Sequence, residues 1–122
     1  MTVTFELNVV SVSEIDTTLV IGFADSQVET TQYVLLQRSL DPENDDGVYV
    51  ERDGQQYSTY GTIHSCSLTR RQISFILTPP LAEALELPAD FAIRFACPND
   101  VYDRLRVALQ RMFVGTGCTL TV

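Results

Sequence analysis

The chain has 122 residues, 45% hydrophobic and 20% charged, with sixteen acids against eight bases and a formal net charge of −8. A chain this long can bury roughly two thirds of its unfolded surface as one domain, and its composition leaves no segment with the character of a disordered tail. It has no lysine, so it would repel phosphate backbones and anionic headgroups; nucleic acid and membrane surfaces are excluded as expected partners, and a basic protein surface is favoured.

Met1 to Leu7 alternates polar and apolar residues, without the basic and apolar regions of a signal peptide, and no apolar run nears the ~20 residues of a membrane span. Thr4 to Val12 and Thr17 to Ala24, rich in β-branched and aromatic residues around a Glu14-Ile-Asp turn, predict a hairpin. In the second strand Leu19, Ile21 and Phe23 share one face, and the other face is apolar enough to make the strand central. A third strand is expected over Tyr33 to Arg38, then a loop through Asp41-Pro-Glu-Asn-Asp-Asp-Gly47 and a short strand from Val48 to Arg52. After the Asp53-Gly54 turn, Tyr60 to Thr69 and Ile73 to Thr78 read as a hairpin around Arg70-Arg71-Gln72.

Pro79-Pro80 ends that strand, and Leu81 to Leu87 suits one or two helical turns before Pro88. Phe91, Ile93 and Phe95 alternate in a half-buried strand. Asn99 is placed to cap a helix from Asp100 to about Val114, along which Val101, Leu105, Ala108, Leu109, Met112 and Phe113 form one apolar stripe. Gly115 and Gly117 stop it, and Thr119 to Val122 can return as an edge strand. The expected fold is therefore α+β: a single domain over 1–122, mostly antiparallel sheet, with one main C-terminal helix packed on a face and a short helix before it.

Motifs for catalysis are missing. No nucleophile elbow, Walker loop, dinucleotide fingerprint or His-Glu-x-x-His pair occurs, and His64-Ser-Cys66 with Cys97-Pro98 does not match a deaminase. His64 and Cys66 could share a strand face, but Cys97 and Cys118 lie too far along the chain for zinc knuckles. Three widely spaced cysteines suit inert thiols in a reducing cytoplasm. Counted from Asp41, a calcium loop would need glycine sixth and glutamate twelfth, where Asp46 and Arg52 stand. Glu51 and Asp53 offer paired carboxylates without a pocket signal. No enzyme activity, metal or cofactor is expected.

The charge is unevenly spread, with eleven acids and two bases in residues 1–61 and five acids and six bases in residues 62–122. Within the acidic half, Tyr49, Tyr57 and Tyr60 stand among Glu51, Asp53, Gln55 and Gln56. Tyrosines offer rigid contact area and surrounding acids steer a basic partner, although Tyr49 and Tyr60 could equally be half-buried sheet residues. The expected partner surface comprises Asp41, Glu43, Asp45, Asp46, Tyr49, Glu51, Gln55, Tyr57 and Tyr60.

The segments Leu36-Gln-Arg-Ser-Leu40, Gly47-Val-Tyr-Val-Glu51, Asp53-Gly-Gln55 and Ser58-Thr-Tyr-Gly-Thr-Ile63 give a pattern that resembles the immunity protein 10 family of bacterial polymorphic toxin systems. The resemblance runs from about Tyr33 to Val114 and falls on Gln37, Arg38, Tyr49, Glu51, Gln55, Tyr60 and Gly61; Thr59 and Thr62 stand where glycine is common in the family. It implies a cytoplasmic antidote that binds and neutralises a cognate toxin, which the acidic charge leads us to expect to be basic. The alternative from a different class is a small acidic chaperone or adaptor for a secreted effector.

Overall fold

A computed structural model describes residues 3–122. The fold is α+β, with strands β1 (Val3–Glu6), β2 (Val9–Ile15), β3 (Thr18–Ala24), β4 (Tyr33–Ser39), β5 (Tyr49–Arg52), β6 (Ser58–Tyr60), β7 (Ile63–Thr69) and β8 (Gln72–Leu77), then helix α1 (Pro79–Leu85), β9 (Asp90–Arg94), α2 (Asn99–Phe113) and β10 (Thr119–Thr121). The strands divide between two sheets. One has the order β1-β9-β8-β7-β10 and the other is the meander β2-β3-β4-β5-β6. Pairing is antiparallel except at the two edges of the first sheet, where β1 runs parallel to β9 and β10 parallel to β7.

The division falls where the sequence reads as continuous strand. Thr4 to Val12 breaks at Leu7-Asn8, where Leu7 turns into the core and its N–H bonds the Arg94 carbonyl at 2.9 Å. Tyr60 to Thr69 breaks at Gly61-Thr62, where the chain crosses between sheets. A Cβ on Gly61 would lie 2.9 Å from Leu81 Cδ1 and 3.3 Å from Leu81 Cβ, so this crossing passes too close to α1 for a side chain. Neither Thr59 nor Thr62 adopts a positive φ, so threonine is accommodated at both places where the family commonly has glycine.

Both sheets contribute one apolar face to a single core. Ile21, Phe23, Leu36 and Val50 come from the meander, and Ile73, Phe75, Phe91 and Ile93 from the first sheet. Helix α2 closes it against β2 and β3 with Leu105, Ala108, Leu109, Met112 and Phe113, the stripe its periodicity predicts; Val101 is only half-buried. Its N-cap is Pro98 rather than Asn99, whose side-chain oxygen instead accepts from Arg70 Nη2 at 2.7 Å. Gly115, with φ +74°, ends it.

Two arginines of the meander tie the helices to that sheet. Arg38, on β4, donates through Nη1 to the carbonyls of Met112 (2.9 Å) and Val114 (2.6 Å) at the end of α2, and forks onto Asp45. Arg52, on β5, donates to the carbonyls of Leu85 (2.7 Å) and Glu86 (3.0 Å) at the end of α1. Helix C-terminal carbonyls have no partners within the helix and carry partial negative charge, which a guanidinium satisfies on both counts.

Candidate functional site

Strand alternation gives the meander a second face, which neither helix covers. Register places Gln37 opposite Tyr49 and Tyr49 opposite Tyr60; in the next row Leu35 lies opposite Glu51 and Glu51 opposite Ser58. Tyr33, Leu35 and Gln37 share this face by parity along β4.

Among the described residues Glu51 is the one charged residue that is buried, 8% exposed. Its two oxygens each accept a phenol: Oε1 from Tyr49 at 2.7 Å and Oε2 from Tyr33. Burial, then the bond to Glu51, pushes the Tyr33 hydroxyl up to about 12, and the same carboxylate raises that of Tyr49. A carboxylate taken from water is costly unless its lone pairs are satisfied, and here two donors on neighbouring strands satisfy them. Tyr49 is thereby held upright, and its ring meets that of Tyr60 edge-on with centroids 5.4 Å apart and planes at 61°. Tyr60 is 55% exposed and presents the outer ring surface.

Beside these rings lies an open cleft of about 350 Å³, lined among others by Asp16, Thr17, Gln37, Asp46, Tyr49 and Tyr60. Asp16 and Thr17 form the β2–β3 turn with φ +48° and +65°, an uncommon conformation for a β-branched threonine. Asp16 and Asp46 have no side-chain partner among the described residues, whereas Arg38, the cation at the rim, is occupied by Asp45 and the end of α2.

The acidic loop divides in its roles. Asp41 accepts from the Glu43 N–H (3.0 Å) and the Asn44 side chain (2.7 Å), capping a 3-10 turn at Pro42–Asn44. Asp45 is taken up by Arg38, which lowers its pKa. Glu43 and Asp46 are exposed. At the opposite end of the sheet, Tyr57 packs on the Arg52 guanidinium 4.2 Å from its centroid, Gln55 is exposed in the β5–β6 turn, and Asp53 accepts from Arg52 and the Tyr33 N–H. The structure thus gathers Gln37, Asp46, Tyr49, Glu51 and Tyr60, and leaves Gln55 and Tyr57 apart from the cleft. Tyr33, Asp16 and Thr17 were not anticipated from the sequence; only Tyr33 carried a signal, its parity with Leu35 and Gln37.

His64 and Cys66 do not share a face. A register shift between Ile63 and Ser65 makes His64 the extra residue of a bulge, exposed, while Cys66 is buried and its thiol pKa is pushed up by burial. Burial raises the Cys118 thiol to about 11, and all three cysteines are free. No helix among the described residues is long and apolar enough to cross a membrane.

Compared with curated proteins, the chain matches none. The model of the family described as Immunity protein 10 matches residues 6–103, which takes in the whole meander and the motif on its open face, and the chain belongs to that family.

Proposed function

We propose that this immunity protein binds and neutralises a cognate toxin domain through the open face of the meander, centred on Tyr49 and Tyr60 and the cleft beside them, and has no catalytic activity of its own. The observation that carries the reading is the placement of Gln37, Tyr49, Glu51 and Tyr60 on one uncovered face, next to the unpartnered carboxylates of Asp16 and Asp46. An exposed aromatic backed by a rigid neighbour and ringed by acids suits anchoring on a basic surface. Glu43 and Asp41 extend the negative potential along the loop, where Asp45 is offset by Arg38, and Gln55 and Tyr57 would engage only a partner large enough to span the sheet. Both oxygens of Glu51 are committed to phenols, so it serves as a brace rather than as an acid or base. Free thiols suit action in the cytoplasm, with no direct contact to nucleic acid or membrane.

The test is capture of the toxin from native extract with the tagged protein, followed by affinity measurement. Tyr60→Ala should weaken the complex by about 2 kcal/mol, roughly thirtyfold. His64→Ala, exposed on the other sheet, should leave it unchanged. Equal affinities for wild type and Tyr60→Ala would remove the face from the interface.

A further inference from the structure

A second surface lies on the far side of the meander, where β2 is an edge strand with α2 packed beside it. Of the four sheet edges among the described residues, β1, β6 and β10 are three or four residues long, whereas β2 has seven. Its sequence, Val-Val-Ser-Val-Ser-Glu-Ile, has no lysine or proline to blunt the edge, and its one charge, Glu14, is paired with Arg111 of α2. Between β2 and α2 runs a groove of about 440 Å³ floored by Val12, Leu19, Val107 and Ala108, with Val107 52% exposed.

Its charges set this patch apart from the acidic loop and open face of the meander. Glu14 and Asp103 are balanced by Arg104 and Arg111, so it is neutral on a chain of net charge −8. Along α2 the exposed residues Asp103, Val107 and Arg111 are evenly spaced, acid, apolar, base. An antiparallel copy of the same helix, centred on Val107, sets Asp103 against Arg111 at both ends. The same two-fold axis lets β2 pair with β2 about Val12, with Ser11 opposite Ser13 and Glu14 opposite Val10, so that no like charges face each other. Arg111, 3.0 Å from Glu14 within its own chain, would then bridge two acids.

We infer that this edge is a homodimer interface, in which β2 strands of two copies join the meanders into one continuous sheet and the α2 helices meet at Val107. A self-complementary patch of this kind fits an isologous contact, and its neutrality suits a second acidic copy rather than a basic partner. The open face of each meander remains free.

Sedimentation equilibrium of the full chain should give twice the 13.6 kDa mass at high concentration, falling to the monomer on dilution. Val107→Arg, at an exposed position, should raise the dimer dissociation constant about tenfold or more. In a second measurement, with Cys97 and Cys118 replaced by serine, V107C should be joined to itself by a short bis-maleimide, while V28C, at a more exposed position away from the patch, should not. A 13.6 kDa species at every concentration, or equal cross-linking of V28C, would overturn the dimer. So would a monomeric wild type whose capture of toxin is lost in Val107→Arg, since the toxin would then occupy the groove.

Discussion

Glu51 shows how one buried charge can order a surface. With two phenols donating to it, the carboxylate holds Tyr33 and Tyr49 in fixed positions, and Tyr49 in turn braces the exposed Tyr60. The arrangement carries a pH signature. The Tyr33 hydroxyl stands at about 12 when folded against an ordinary value of 10.0, so its contribution to stability is complete below pH 10 and is lost as pH rises from 10 toward 12. Urea denaturation across that range should show stability falling, and Tyr33→Phe should flatten the fall while costing about 2 kcal/mol at neutral pH. A slope unchanged by the substitution would assign the loss to other groups. Part of this was legible in the sequence, because Tyr49, Glu51 and Tyr60 alternate or pair at short range. Tyr33 shares that face by its parity along β4, but its place beside Glu51 depends on the register of β4 against β5, which no local pattern encodes.

At the level of elements, the strands and helices follow their periodicities, and the departures come from long-range contacts. The alternation of Phe91, Ile93 and Phe95 and the stripe of α2 read directly as buried faces. The breaks at Leu7-Asn8 and Gly61-Thr62 did not, because β-branched and aromatic residues continue across or beside them and only the partner sheets differ. Arg38 is the clearest case: it belongs to the motif on β4, yet its guanidinium serves the end of α2, more than seventy residues later. Arg38→Ala should therefore cost about 2–3 kcal/mol in global stability, with hydrogen exchange rising first in the last turn of α2. Thr17 offers the opposite test. Its φ of +65° is costly for a β-branched residue, and glycine after Asp16 suits this two-residue turn, so Thr17→Gly should raise stability by about 1 kcal/mol in thermal unfolding.

Across the whole molecule, charge is sorted by region. The two bases of residues 1–61 are both spent on helix ends, so neither offsets Asp16, Glu43 and Asp46 on the open face and its loop. Association with the proposed basic toxin should be fast at low salt and slow as ionic strength rises. Asp46→Asn should lower the association rate several-fold and flatten its salt dependence, with little change in dissociation; stopped-flow mixing would show both. Composition alone announced the acidic imbalance, but not that Asp45 is neutralised internally while Asp46, its neighbour, is left to face outward.

The meander consists of consecutive strands from Val9 to Tyr60, whereas the other sheet cannot close until β1 meets β9 and β10 returns to β7. Ribosomal synthesis therefore delivers every strand of the open face before the remaining sheet has its central members. Loop-closure entropy favours the same sequence of events, because each hairpin of the meander joins near neighbours while β1 must wait for a distant partner. The surface proposed to meet the toxin is thus assembled from the earliest and most local part of the chain, and the later half supplies the weight that keeps it in shape.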